Sequence, residues 1–145
     1  MQTEKRNQKQ RQGFTLLELL VVIVILGLLA AFVAPKYFGK IGQSKIQAAK
    51  TQIDAFDKGI DQYRIDTGHF PTTEQGLNSL FAQPANEPLW HGPYLKKSIP
   101  PDPWGNAYVY RAPGTEGRDF EIVSYGADGK SGGSGDDADI TSWGF

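Results

Sequence analysis

The chain has 145 residues, with 15 Lys and Arg, 16 Asp and Glu, and no Cys. This length leaves room for one folded domain beside a membrane segment, and the lack of Cys excludes disulfide bonds and thiolate chemistry. The first 12 positions hold four basic residues and one acidic residue, so the remainder has 11 basic and 15 acidic residues, a mildly acidic balance that argues against nucleic-acid binding.

An apolar segment follows a basic N-terminal leader. Residues 14–34 contain only two polar side chains, those of Thr15 and Glu18. As a helix, these 21 residues span about 31 Å, enough to cross the hydrocarbon core of a membrane. Pro35 lacks a backbone donor and is expected to end or bend the helix. The leader, which favours a cytoplasmic N-terminus, carries Lys5, Arg6, Lys9 and Arg11 against Glu4.

This segment is compatible with a cleaved secretory signal, a plain membrane anchor or a more specialised signal. A secretory signal is cleaved after its apolar run, at small residues. The run ends in Phe32-Val33-Ala34-Pro35, which places a bulky side chain and a proline at that position and does not favour such cleavage. The carboxylate of Glu18 requires a partner, because an unpaired charge inside an apolar helix costs a few kcal/mol.

The pattern after Pro35 predicts an amphipathic helix. Its polar positions hold mainly Lys, Asp and Gln, and Gly68 is a suitable left-handed residue at its C-terminal end. We therefore expect one long helix from Phe14 to about Asp66, whose second half packs on a folded domain. The apolar residues, spaced by three and four positions along one helical face, are Ile46, Ala49, Ile53, Phe56, Ile60 and Tyr63.

A short helix and a long loop come next. Thr72 and Gln75 have the spacing of a capping box. The helix that follows is predicted to bury Leu77, Leu80 and Phe81. In the proline-rich loop of residues 85–103, Trp90 and Tyr94 are the expected packing anchors.

The C-terminal part predicts a small antiparallel sheet. Residues 102–106 (Asp-Pro-Trp-Gly-Asn) indicate a tight turn. Residues 107–111 and 120–125 are rich in strand-forming residues and predict a hairpin, and residues 140–143 are a candidate third strand. Strands grouped after helices favour an α+β fold in which the long helix lies across the sheet.

Four aspartates lie close together near the C-terminus, among Gly and Ser residues: Asp128, Asp136, Asp137 and Asp139. Calcium takes about six to eight oxygen ligands, and glycines allow a loop to turn its carbonyls inward. The spacing does not match an EF-hand, so the residues alone leave a calcium site and a solvated acidic loop equally open. His69 and His91 lack metal-ligand spacing and no catalytic motif is recognisable, so we predict no enzymatic activity.

Residues 13–18 (Gly-Phe-Thr-Leu-Leu-Glu) resemble the signal shared by type IV pilins and type II secretion pseudopilins. The resemblance implies that a prepilin peptidase cleaves between Gly13 and Phe14 and methylates the new terminal amine of Phe14. It divides the chain into a leader at 1–13, an apolar transmembrane and assembly helix at 14–34, and a periplasmic domain at 35–145.

Three further motifs resemble the G-type major pseudopilins: residues 70–77 (Phe-Pro-Thr-Thr-Glu-Gln-Gly-Leu), 102–105 (Asp-Pro-Trp-Gly) and 124–129 (Ser-Tyr-Gly-Ala-Asp-Gly). This resemblance implies a pilin-like fold, anchoring in the bacterial inner membrane and assembly into a homopolymeric fibre that drives export of folded proteins. In such a fibre, Glu18 neutralises the terminal amine of an adjacent subunit, and Pro35 belongs to the assembly helix. The implied partners are minor pseudopilins, the prepilin peptidase, an inner-membrane platform and a secretin.

The same resemblance implies one calcium ion in the C-terminal loop. Asp128, Asp137 and Asp139 are the implied side-chain ligands, with the backbone carbonyls of Tyr125 and Lys130 as helpers. The variable length of the Gly/Ser segment leaves the choice between Asp136 and Asp137 open.

Two other functions compete with this interpretation. The first is an adhesive or competence type IV pilin, which shares the N-terminal signal but belongs to a different machine. The second is a calcium-binding secreted or membrane-anchored enzyme domain.

Overall fold

The structure, a computed structural model, describes residues 13–144, so residues 1–12 of the predicted leader at 1–13 lie outside the described residues. The chain divides into two units, Met1–Phe38 and Gly39–Phe145. Helix α1 comprises Leu16–Thr67, which confirms the predicted long N-terminal helix. Pro35 lies inside α1 and does not end it.

The described part of the first unit is an apolar helix with exposed side chains. Leu16 and Phe14 are 87% and 90% exposed, and the large apolar residues up to Val33 are exposed as well. The segment is long and apolar enough to cross a membrane, and none of it is buried within the protein. Its side chains therefore lack apolar partners within the described chain.

The second unit forms a core between α1 and a three-stranded sheet. The strands are β1, Val109–Arg111, β2, Glu121–Ser124, and β3, Ile140–Thr141. They are antiparallel in the order β1-β2-β3, which confirms the predicted hairpin and third strand. The predicted helix face is also confirmed, because five of its six residues are fully buried, namely Ala49, Ile53, Phe56, Ile60 and Tyr63. The α+β class predicted from the sequence is thus correct.

The register of the sheet follows from the bonds of Ile122. Its backbone C=O accepts a hydrogen bond from Ser142 N (3.0 Å), and its N–H donates to Ser142 Oγ (3.2 Å). Ile122 therefore directs its hydrogen-bonding groups toward β3. Because these groups alternate in direction along a strand, those of Glu121 and Val123 point toward β1, where their partners are Arg111 and Val109.

The β1–β2 hairpin is held by a buried carboxylate. Glu121 accepts hydrogen bonds from the N–H (3.1 Å) and hydroxyl (2.8 Å) of Thr115, and it pairs with Arg111 Nη1 at 3.1 Å. The bonds from Thr115 and the pairing with Arg111 lower the pKa of the Glu121 carboxyl, although burial opposes them. Glu121 therefore fixes the turn between the strands while remaining charged.

The capping box predicted at Thr72 and Gln75 is confirmed by hydrogen bonds in both directions: Thr72 N donates to Gln75 Oε1 (2.8 Å), and Gln75 N to Thr72 Oγ1 (3.2 Å). The helix that follows is a 3₁₀ helix, Leu77–Leu80. The predicted burial of Phe81 is wrong, since it is exposed. With three residues per turn, Leu77 and Leu80 share the buried face, and the next residue turns away.

The loop anchors and the tight turn are also confirmed. Trp90 Nε1 donates to Ser79 O (2.7 Å), and Tyr94 OH donates to Asp66 Oδ2 (2.8 Å). In the turn of residues 102–106, Asp102 Oδ1 accepts hydrogen bonds from the backbone N–H groups of Trp104 (3.0 Å) and Asn106 (2.8 Å). These side chains hold the loop against the core.

Candidate assembly segment and acidic loop

Glu18 forms a capping box at the start of α1. Glu18 Oε2 accepts a hydrogen bond from Thr15 N (3.0 Å), while Glu18 N donates to Thr15 Oγ1 (3.2 Å). The pair satisfies two backbone donors that the first turn of a helix leaves free. The carboxylate remains exposed, so it can accept a further cationic partner.

Gly13 is not required by the fold of the described chain. A Cβ added at Gly13 would meet no atom within 4 Å. The neighbouring Phe14 has no covering residue and is 90% exposed. A requirement for a small residue at position 13 must therefore come from a molecule that acts on this segment.

The acidic loop, defined as residues 125–139, connects β2 to β3. Ala127 N donates to Asp136 O (2.8 Å), which draws the two ends of the loop together. Gly126 sits at this closure with a φ of 64°, and a Cβ there would lie 2.6 Å from Asp136 O. Asn106 Nδ2 donates to Gly126 O (2.7 Å) and joins the loop to the turn of residues 102–106. Only glycine suits position 126, because both space and backbone conformation exclude a side chain.

Two aspartates direct their carboxylates into the loop. Asp128 Oδ1 accepts a hydrogen bond from Lys130 N (3.0 Å). Asp139 Oδ2 accepts from Gly132 N (3.0 Å) and Ser131 Oγ (3.5 Å), whereas Asp139 Oδ1 is buried and has no hydrogen-bond partner. A buried carboxylate oxygen without a partner loses its hydration uncompensated, so a cation at this oxygen would be stabilising.

The side chains of the other two aspartates, Asp136 and Asp137, have different surroundings. A Cβ added at Gly42 of α1 would overlap Asp136 Oδ1, so the Asp136 carboxylate occupies the space above Gly42. The Asp137 carboxylate is exposed, and its backbone N–H donates to Ser134 O (3.2 Å). Asp136 is thus engaged with the helix, which favours Asp137 as the additional carboxylate available to the loop.

The structure brings together only part of the predicted ligand set. Within residues 13–144, no group of three or more Asp, Glu, His or Cys side chains has a metal-binding arrangement. The carbonyl oxygens of Tyr125 and Lys130 accept no hydrogen bond from described residues, which leaves both available as ligands.

Sequence reasoning missed two residues that position the loop, Gly42 and Asn106. Gly42 is buried in α1, and its missing side chain admits Asp136. A glycine in the middle of a helix is unfavourable by roughly 1 kcal/mol relative to Ala. Its presence within the predicted helix was therefore a signal that packing requires a glycine there. Asn106 gives no comparable signal, because its bond to Gly126 joins positions 20 residues apart.

The N-terminal part of the chain matches a motif that defines a class of proteins. The prokaryotic N-terminal methylation motif matches residues 8–34. With the long N-terminal helix on a small antiparallel sheet, this motif defines a pilin-like subunit of the kind that is anchored by its apolar helix. The major pseudopilin from the type 2 secretion system of enterohaemorrhagic Escherichia coli is a structural neighbour, with a TM-score of 0.59, 31% identity, and coverage of 74% of this chain and 94% of that one.

The chain belongs to the type II secretion system protein G family, because the model of that family matches residues 36–143. It is 46% identical over 139 residues to the type II secretion system core protein G of Pseudomonas aeruginosa, covering 94% of this chain and 97% of the relative. The Vibrio cholerae core protein G is 44% identical over 141 residues, covering 95% of each chain. These proteins are structural pseudopilins, so the resemblance to G-type pseudopilins is confirmed and the enzyme and adhesive-pilin alternatives are not supported.

The contact between Gly42 and Asp136 can be tested by substitution. We expect Gly42→Ala to lower the melting temperature of the full chain in detergent and to loosen the acidic loop, because the new methyl group displaces the Asp136 carboxylate. Gly39→Ala is the matched control, since a Cβ at Gly39 meets nothing within 4 Å, and it should raise helix stability by up to about 1 kcal/mol. Adding Asp136→Gly to Gly42→Ala should recover the loss, and no recovery would contradict the proposed overlap.

Proposed function

We propose that this chain is the major structural subunit of a type II secretion pseudopilus, a helical fibre that drives folded proteins across the outer membrane. The observation that carries the proposal is that the large apolar side chains of Phe14 and of α1 up to Val33 are all exposed. Such a surface is stable in a lipid bilayer or against identical helices of other subunits, but not in water. A membrane precursor that later polymerises uses both environments.

The proposed maturation starts at Gly13. A prepilin peptidase cleaves between Gly13 and Phe14 on the cytoplasmic side, and Phe14 becomes the methylated N-terminus. The basic leader supports this orientation, which places the domain of residues 35–145 in the periplasm. The membrane platform, minor pseudopilins and the outer-membrane secretin would then act on the periplasmic subunit.

Glu18 is proposed to set the register of assembly. Its exposed carboxylate lies within the first turn of α1, close in sequence to the new terminal amine at Phe14. In the apolar interior of a helix bundle, a carboxylate and an amine each carry a large desolvation cost unless they pair. Pairing Glu18 with the terminal amine of an adjacent subunit would remove both desolvation costs. The two groups can meet only at one displacement of the subunits along the fibre axis, so the pair would fix that displacement.

Calcium is the proposed ligand of the acidic loop. Asp128 and Asp139 provide carboxylates that face the loop, and Asp137 is exposed in the same loop. With the Tyr125 and Lys130 carbonyls they would make an all-oxygen set suited to a hard cation. The unpartnered Asp139 Oδ1 supports the fit. Bound calcium supplies the positive charge that offsets repulsion among the carboxylates and joins the two ends of the loop.

We expect Gly13→Leu to accumulate as an uncleaved precursor, whereas Gly13→Ala is processed. Position 13 has free space around it, so neither substitution disturbs the fold. A difference in cleavage between the two variants therefore measures the side-chain preference of the peptidase. Mass spectrometry of the N-terminus measures cleavage and methylation. Normal processing of Gly13→Leu would show that the signal has been misinterpreted.

We expect Glu18→Ala to be processed and to remain in the membrane but to yield few fibres and little secretion. Because the substitution also removes half of the capping box, Thr15→Ala is the control: it breaks the bond from Glu18 N and keeps the carboxylate. Fibre yield and secreted protein are measured for both variants. Wild-type assembly by Glu18→Ala, or an equal loss in Thr15→Ala, would contradict the pairing.

We expect calcium to raise the melting temperature of the wild-type protein by about 10 °C at 100 times its dissociation constant, equivalent to about 2.7 kcal/mol. Magnesium should have a smaller effect. Asp128→Ala and Asp139→Ala should abolish the response, while Asp136→Ala should retain it because that carboxylate faces Gly42. Melting in chelator and in millimolar calcium provides the measurement, and a wild-type protein without a calcium response would leave a solvated loop as the correct interpretation.

A further inference from the structure

The outer edge of β1 carries unpaired backbone groups. Tyr110 is opposite Ile122, whose N–H and C=O point to β3, so the two residues form a non-hydrogen-bonded pair. The N–H and C=O of Tyr110 therefore point away from β2, toward the free edge of the sheet. None of the described residues donates to or accepts from these two groups.

At the end of this edge, the side chain of Thr73 makes the hydrogen bonds that a neighbouring strand would make. Its Oγ1 accepts a hydrogen bond from Ala112 N (3.0 Å) and donates one to Ala112 O (3.1 Å). Ala112 lies two residues after Tyr110, so its groups face the same side. The backbone groups of Ala112 are thus paired with Thr73, whereas those of Tyr110 are unpaired. Tyr108 is the next residue whose backbone groups face this edge.

A groove of about 620 Å³ runs along this open edge. Three parts of the chain line it: Thr73 with residues 75–78, residues 98–101, and Gly105, Ala107, Tyr108 and Tyr110 in and before β1. The rings of Tyr108 and Tyr110 are committed to the core, Tyr108 against Phe56 with ring centres 5.1 Å apart and Tyr110 through its hydroxyl on Pro71 O (2.8 Å). What these two residues can offer to the groove is therefore their backbone edge.

We propose that this groove binds an extended peptide segment of another protein, which adds to the sheet as a strand beside β1. The unpaired N–H and C=O of Tyr110 are complementary to the backbone of an extended chain, as in other cases of strand addition. Pro100 and Pro101 lack backbone N–H groups, so this part of the groove lining donates no backbone hydrogen bond of its own.

The lining of the groove favours this occupant. Residues from the segments 73–78 and 98–101 line it together with Tyr110, so an extended chain that pairs with Tyr110 also contacts both segments. Within residues 13–144, all three strands already belong to one sheet, so none of them is free to pair with Tyr110 of the same molecule. The proposal depends on neither fibre assembly nor calcium, and it can fail while both of those remain correct.

The test uses the processed full-length chain in detergent micelles. The probe is an equimolar mixture of capped hexapeptides built from Thr, Val, Ser and Tyr, and hydrogen exchange at the Tyr110 amide is measured by NMR. We expect saturating peptide to slow this exchange by at least about tenfold, because a strand partner protects the amide. The same mixture with every backbone amide methylated should have no effect.

Two matched variants locate the binding. Ala107 and Ala85 are both exposed, but only Ala107 lines the groove. Ala107→Trp should fill the groove and remove the protection, whereas Ala85→Trp should retain it, with equal melting temperatures showing that both are folded. Unchanged exchange at Tyr110 with peptide, or equal protection in both variants, would overturn the proposal. Protection of Tyr110 in purified fibres without peptide would also overturn it, by assigning the edge to a second copy of this chain.

Discussion

The burial of one face of α1 against the sheet is the interaction on which the folded unit depends. Four residues of this face expose no surface and share one core cluster with Tyr108 and with Tyr110 and Ile122 of the sheet: Ile53, Phe56, Ile60 and Tyr63. Fully burying a large apolar side chain contributes about 1.5–3 kcal/mol, so this face outweighs any single polar contact. The strands have two to four residues each and would not be stable as a sheet without the helix.

The same helix serves two different environments along its length. From residue 39 onward, α1 buries one apolar face, from Ala49 to Tyr63, in the protein's own core, although Ile41 and Ile65 stay exposed. Between Leu16 and Val33, apolar residues surround the helix and none of them is buried. The first pattern is that of a globular protein and the second that of a membrane or fibre helix. One element can therefore keep the subunit in the membrane and later hold it in a polymer.

Polar groups fix the parts of the fold that the hydrophobic core leaves undetermined. Asp102 closes the turn of residues 102–106, Asn106 joins that turn to the acidic loop, and Ala127 N binds Asp136 O across the loop. These bonds make the loop continuous with the core. The same principle applies at β1, where Thr73 pairs the edge at Ala112 and leaves the adjacent position at Tyr110 open. Hydrogen-bond pairing thus sets where the domain is closed and where it can accept a partner.

Residue spacing along local segments was enough to predict the apolar span, the buried face of α1, the capping box at Thr72 and the α+β class. The sequence also carried the motifs of the family. The folded chain was needed to show that Phe81 is exposed and that the Tyr110 edge is open. It was also needed to show that Asp136 faces Gly42 while Asp139 faces the loop. These features depend on contacts between residues distant in the chain, such as Gly42 with Asp136 and Thr73 with Ala112, and no local pattern specifies which residues meet.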